Sequence, residues 1–422
     1  MEEFQSWPSS FTNYNPVLSS SLSLSSPSSS SSSSSFSPTI SQEEETRSTP
    51  TLCEDTSSFN SLESNINNKN NNNNSSLIPK LIISHPCILS TKTNTPQINC
   101  LALRNNALYA ATAREIKVYD PKTLALTGTF GPGSGLAKSI AFCGERIFTA
   151  HQDRKIRVWK PAATSSSDER QKHRLVSTLP TFKDRAFNCM LPRNYVRVRR
   201  HEQRLWIEHA DAVSGLAVDS DVGLMYSVSW DKCFKIWRIS SGPRCLESVK
   251  AHSDAVNAIV VSPVDRTVYT GSADGEIKIW AGCGDSKGYK LVTTLNKHVS
   301  SVNALALADN GSGLCSAGGD GVILVWERNN NNCCLEGHKG AVLCLVHVKG
   351  VLISGSSDRT VRIWGLGKDN FRGCLAIFEG HCNPVKALVA NDDDLDESLS
   401  VFSGSLDGDI RAWKFNISHA SI

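Results

Sequence analysis

The sequence predicts an all-β repeat protein: seven copies of a four-stranded unit, stacked radially around a shared core, behind a low-complexity N-terminal tail. Three observations predict it. Short alternating apolar runs with Gly, Asp and Asn between them fill the chain after about residue 79. Six of these segments end in a Trp, with an Asp six residues earlier and a Ser or Thr ten residues earlier. The stretch before residue 79 has none of this patterning.

That stretch, residues 1–78, contains "SSPSSSSSSSSFSP" (Ser25–Pro38) and "NINNKNNNNNSS" (Asn65–Ser76). Such composition cannot bury enough apolar surface to offset backbone ordering, so a disordered tail is expected. Ser26-Pro27, Ser37-Pro38 and Thr49-Pro50 are candidate proline-directed phosphorylation sites within it. The opening "MEEFQSW" has no basic or apolar leader region, and the first basic residue is Arg47. No apolar run approaches the ~18 residues of a membrane span. The expectation is a cytoplasmic or nuclear protein without a membrane.

Composition narrows the chemistry. A formal net charge of +3 on 422 residues argues against a general nucleic-acid binder. Fourteen cysteines are scattered, with no Cys-x-x-Cys, so neither a metal site nor a disulfide framework is expected. No phosphate-cradling G-x-x-x-x-G-K-S/T occurs either. No cofactor is expected.

The repeats follow in order. "RIFTAHQDRKIRVW" ends at Trp159, "LMYSVSWDKCFKIW" at Trp237 and "TVYTGSADGEIKIW" at Trp280. "GLCSAGGDGVILVW" ends at Trp326, "VLISGSSDRTVRIW" at Trp364 and "SVFSGSLDGDIRAW" at Trp413. A degenerate earlier copy, "ALYAATAREIKVYD", has Tyr119 for the Trp, Ala113 for the Asp and Tyr109 for the Ser or Thr. Each copy reads as a hairpin with the Asp at its turn, where a carboxylate caps backbone N–H groups. A third strand precedes it ("VNAIVV") and a fourth follows ("KLVTTL"). Units of this size cannot each hold a core, so they must share one.

Five copies also carry an upstream His. It stands 28 residues before Trp237, Trp280 and Trp326, 26 before Trp364 and 32 before Trp413, where "NDDDLDES" lengthens a loop. Two of these read Gly-His, at Gly337-His338 and Gly380-His381. Together these residues resemble WD40 repeats over about residues 80–415. The resemblance implies a seven-bladed β-propeller, here spanning residues 79–418. The last copy lacks a fourth strand, and "LIPKLIISHPCIL" (Leu77–Leu89) is the expected donor that closes the ring. At a finer level, "FTAHQDRKIRVWK", "LPRNYVRVRRHEQRLWIEHADAVSGLAV" and "YSVSWDKCFKIWR" resemble the plant WD-repeat family named for JINGUBANG. That resemblance suggests a regulatory scaffold connected with restraint of pollen germination.

The resemblance places His, Ser/Thr, Asp and Trp of each copy in one buried hydrogen-bond network. The sets are His209, Ser227, Asp231, Trp237; His252, Thr270, Asp274, Trp280; and His298, Ser316, Asp320, Trp326. The remaining two are His338, Ser354, Asp358, Trp364 and His381, Ser403, Asp407, Trp413. The copy ending at Trp159 keeps Thr149 and Asp153 but has no upstream His. Ser, His and Asp are also the groups of a hydrolase triad. A catalytic set occurs once, whereas this one recurs five times, so a structural brace and no enzyme are expected.

Two regions are candidates for partner binding. The resemblance puts the docking face at the third and fifth residues after each His and at the residue before the turn Asp. Here these include Ser214, Trp230, Asn257, Asn303, Leu343, Lys386 and Leu406, with Trp230 the natural anchor. The second region is a long insertion at residues 161–205, basic toward its end through Arg197, Arg199 and Arg200. The expected function is non-catalytic protein binding, with a transcriptional or signalling regulator among the candidate partners. The alternative is RNA or phosphorylated ligands held by the insertion. None of the post-Trp sequences, "WRIS", "WAGC", "WERN", "WGLG" and "WKFN", matches the Trp-Asp-x-Arg of ubiquitin-ligase adaptors.

Overall fold

A computed structural model describes residues 81–162, 172–240, 242–282, 288–308, 311, 313–327, 332–366, 372–391 and 398–417. The expected tail and its three Ser/Thr-Pro sites lie outside the described residues, as does the polar start of the insertion at 163–171.

Seven four-stranded antiparallel sheets form the blades of a β-propeller. Their inner strands are Cys100–Arg104, Ala137–Cys143, Val213–Asp219, Val256–Val261, Val302–Ala308, Val342–Val348 and Val385–Asn391. Each inner strand meets the next, and the seventh meets the first, so the ring is closed. Closure is completed by Leu81–Lys92, which pairs antiparallel with Asp409–Ile417 as the outer strand of blade 7. A strand from the start of the described chain thus covers the last edge, which would otherwise offer unpaired backbone groups.

Apolar residues are buried mainly between blades. Val325 and Ala317 of blade 5 share a cluster with Leu352 and Trp364 of blade 6. Phe402 and Ala412 of blade 7 share one with Leu101 and Leu108 of blade 1. The blades approach so closely that three second strands use Gly after the tetrad hydroxyl. A Cβ on Gly271, Gly355 or Gly404 would lie 2.6, 2.7 or 2.5 Å from a branched side chain of the next blade's inner edge.

Blade 1 is regular despite its degenerate sequence. Tyr109 and Tyr119 are both buried. Tyr109 packs against Phe142 at 5.3 Å and edge-on to Phe130 at 6.4 Å. Thr112 closes the turn that Ala113 cannot, its hydroxyl donating to Glu115 O at 2.8 Å. Aromatic packing and a threonine turn replace the polar brace.

The insertion differs from the sequence expectation. His173–Leu179, placed within it, is the outer strand of blade 2. The true excursion follows: a helix α1 (Phe182–Cys189), then a two-stranded hairpin of Tyr195–Arg199 with Glu202–Leu205. Thr181 caps α1 by accepting from Asp184 N at 3.1 Å. The helix is tied to the segment that leads into blade 3 by Arg185–Glu208 at 2.7 Å and by Trp206 Nε1 donating to Asn188 Oδ1 at 3.2 Å. Among the described residues, no helix is long and apolar enough to cross a membrane.

Candidate functional site: brace and channel mouth

In blade 3 the indole of Trp237 donates to Ser227 Oγ at 2.8 Å. Ser227 Oγ lies 2.8 Å from His209 Nε2, and His209 Nδ1 lies 2.8 Å from Asp231 Oδ2. The carboxylate can only accept, so the neutral imidazole donates Nδ1–H to it, which leaves Nε2 to accept from the hydroxyl, whose oxygen accepts the indole N–H. Blade 4 repeats this through Trp280, Thr270, His252 and Asp274 at 2.9, 2.8 and 3.1 Å. Blade 5 does so through Trp326, Ser316, His298 and Asp320 at 2.9, 2.8 and 3.0 Å. Blade 6 uses Trp364, Ser354, His338 and Asp358 at 2.8, 2.7 and 2.8 Å.

Each turn Asp works with both oxygens. Oδ1 of Asp231, Asp274, Asp320 and Asp358 accepts the N–H two residues on, at 3.0, 3.0, 3.1 and 2.9 Å. Oδ2 also takes the N–H of the residue after the His, as Asp231 does with Ala210 at 2.8 Å. Burial pushes His209, His252 and His338 below the ordinary imidazole value, against the pull of their carboxylates. Burial opposes ionisation of Asp231 too, but His209, the Ala210 N–H and Lys235 together hold it at about 2.

Two blades depart from the expected sets. In blade 7, Trp413 and His381 reach Ser403 at 2.7 Å each, but Asp407 makes no hydrogen bond to the ring. Asp409 Oδ2 stands nearest, 3.6 Å from His381 Nδ1, and is held by Arg411 Nε at 2.7 Å. His381 Nδ1 is buried without a hydrogen-bond partner, and the ring is pushed down to about 4 by burial. Asp407 keeps only the turn role, accepting Asp409 N at 3.0 Å. In blade 2 the missing upstream His is replaced from within the second strand. His151 Nε2 lies 2.7 Å from Thr149 Oγ1, which accepts from Trp159 at 2.8 Å. His151 Nδ1 then donates to Gly135 O at 3.2 Å, while Asp153 pairs with Arg157 at 2.6 Å. The signal for His151 was present in Thr-x-His, since residues two apart share a strand face.

These serines and Thr270 are fully buried, so none presents a hydroxyl to a substrate. His252, Asp274 and Glu276 also converge within 4.8 Å, the spacing of metal ligands. Both His252 nitrogens are already bonded, so that ring offers no lone pair to an ion. The twelve described cysteines are free thiols.

Six of the candidate partner-binding residues converge. Ser214, Trp230, Asn257, Asn303, Leu343 and Lys386 line one cavity of about 240 Å³. Asn99 and Lys138 complete it. Seven of the eight residues directly follow the residue that starts an inner strand or occupies its equivalent place, one per blade, so the cavity lies at the mouth of the central channel. Asn99 and Lys138 escaped sequence reasoning because positions were counted from an upstream His that blades 1 and 2 lack. The apolar residues before them, Ile98 and Ala137, carry the same signal as Val213 before Ser214.

Some of these side chains also bridge blades. Asn257 Nδ2 donates to Val302 O at 3.1 Å, Asn303 Nδ2 to Val342 O at 3.0 Å, and Ser214 Oγ to Val256 O at 2.5 Å. Trp230 is exposed at the rim, with Lys138 Nζ 4.0 Å from its ring centre. Leu406 is half-buried at the blade 7 turn and does not line the cavity; its N–H donates to Pro384 O at 3.1 Å. In the insertion, Arg197 and Arg200 are exposed, and the side chain of Arg199 lies outside the described residues.

A closed ring of seven blades, five of them with an indole–hydroxyl–imidazole brace built on an upstream His, defines a repeat propeller with a channel-mouth surface. The family model for the WD domain, G-beta repeat, matches residues 201–238, 243–281, 289–327, 330–365 and 372–414. These five segments are WD40 repeats, and the fold is a WD40 propeller. The chain is 28% identical over 171 residues to the DENN domain and WD repeat-containing protein SCD1 of Arabidopsis thaliana, covering 40% of this chain and 13% of that protein. It is 25% identical over 175 residues to Autophagy-related protein 16 of Arabidopsis thaliana, covering 40% of this chain and 32% of that protein. It is 31% identical over 134 residues to the CCR4-associated factor 4 homolog of Candida glabrata, covering 29% and 22% respectively. The chain thus spans a third or less of these relatives. Among solved structures, the WD40 beta propeller domain of Doa1 superposes with a TM-score of 0.58 at 19% identity, over 78% of this chain and 96% of that one.

Proposed function

We propose that this propeller is a non-catalytic adaptor that docks a protein partner at the channel mouth. The single observation that carries this reading is the convergence of Trp230 and one residue from every blade on one open cavity. WD40 propellers are typically interaction scaffolds. A rigid ring presenting an exposed indole beside polar groups suits that role, because such an anchor loses little freedom on binding. Affinity capture with the full chain, set against a Trp230→Ala/Lys386→Glu chain, tests it. Partners lost with the double variant support the reading, and an unchanged set of partners refutes it.

The finer reading, a regulator of pollen germination, rests on the likeness to the JINGUBANG-related stretches. Germination timing in plants lacking the gene tests it. The exposed Arg197 and Arg200 favour the insertion as a second contact for phosphate-bearing ligands. Capture or crosslinking unchanged by Arg197→Glu/Arg200→Glu would remove that reading.

A further inference from the structure

Among the described residues, the cavity lining at the channel mouth has two cations and no anion. Lys138, half-buried, and Lys386, exposed, both line the cavity, and no carboxylate lines it with them. Among the described residues, neither ammonium is in an ion pair within 4 Å. Lys138 instead faces the Trp230 ring. The other polar groups there are partly used: Asn257 and Asn303 spend an amide N–H on the neighbouring blade. Asn99 Nδ2 is the exception, buried with no acceptor. Burial first, and the Lys386 charge second, lower the Lys138 pKa, with Asp211 opposing them. Asp211 is exposed, and its Oδ1 accepts from Ala212 N at 2.7 Å. Two like charges at a concave, partly desolvated mouth attract an anion more strongly than either does in open water.

We propose that the channel mouth binds an anionic group, the carboxylate or phosphate of an acidic side chain on a protein partner, between the ammonium groups of Lys138 and Lys386 and beside the Trp230 indole. This rests on the docking reading above and names its chemistry. An anion there answers both lysine charges at once. Leu343 and the Trp230 ring line the same cavity and offer apolar surface to the stem of the side chain that carries it.

The test is calorimetric titration of the full chain, at constant ionic strength in chloride. The probes are capped Gly-Gly-X-Gly-Gly peptides with X as Ser, Glu or phosphoserine. The expected result is binding of an acidic peptide at least tenfold tighter than the Ser peptide. Glu and phosphoserine binding alike makes charge sufficient; phosphoserine alone assigns the site to phosphate, and either supports the inference. Inorganic phosphate should displace the bound peptide. Lys138→Gln/Lys386→Gln should weaken acidic binding at least tenfold, and Lys386→Glu, at an exposed position, serves if the double variant folds poorly. Peptides that bind alike or not at all, or folded variants that bind as the parent does, overturn it. Partner capture lost with Trp230→Ala but kept by Lys138→Gln/Lys386→Gln would overturn the anion site and leave the docking reading standing.

Discussion

His151 Nε2 lies 2.7 Å from the hydroxyl of Thr149, two residues earlier in the same strand. Elsewhere the imidazole comes from a distant loop, 18 residues before the hydroxyl in blades 3, 4 and 5. Blade 2 therefore keeps the acceptor for its Ser/Thr hydroxyl but changes the route by which it arrives. His151→Ala should lower stability by about 2–3 kcal/mol, because it opens a cavity and strands a buried hydroxyl. Denaturant unfolding measures it. A midpoint equal to the parent's would show that the ring contributes nothing to the brace.

Asp231 and Asp407 occupy the same repeat position but do different amounts of work. Asp231 accepts from His209, Ala210 and Cys233, whereas Asp407 is tied to its own turn. Asp231→Ala should cost about 3 kcal/mol and Asp407→Ala about 1 kcal/mol. Equal losses in paired melts would contradict the observed bonding.

Acid should loosen the ring in two stages. His151 and His381 are both pushed by burial to about 4, below the ordinary value of 6.5. The unfolded chain therefore binds more protons than the folded one between those values. Stability is full above pH 6.5 and falls as pH drops toward 4, on the order of 3 kcal/mol for each such histidine. Asp231 and Asp358, held at about 2, add a further loss only below pH 3.8. Unfolding at stepped pH reads this out, and a flat profile from pH 7 to pH 4.5 would be incompatible with neutral buried rings.

Leu81–Lys92 covers the last blade's edge. A chain shortened to begin at residue 95 should unfold at a lower denaturant midpoint and aggregate sooner than one beginning at 76, because Asp409–Ile417 loses its partner. Matching midpoints and matching light scattering would remove the role given to closure.

Much of the fold was legible because the repeat is written in residue spacing. A Trp, an Asp six before it and a hydroxyl ten before it give strand, turn and strand without reference to neighbours. The resemblance to WD40 repeats, not spacing alone, paired His209, Ser227, Asp231 and Trp237. It failed at His381, where Asp409, drawn to Arg411, stands nearest the ring instead of Asp407. Which carboxylate lies nearer is a matter of side-chain competition across a turn, and spacing does not encode it.

The channel mouth marks the same boundary. The sequence by itself determined the seven units and the need for a borrowed strand, since these follow from local periodicity and from the requirement that every edge be paired; the expected rim positions came from the resemblance to WD40 repeats. Only the tertiary structure decided that Lys138 sits over Trp230 and faces the same cavity as Lys386. These residues lie 92 and 156 positions apart in the chain, from 138 to 230 and from 230 to 386. They meet because ring closure turns seven separate strand starts toward one axis, and that convergence exists only once the whole core has packed.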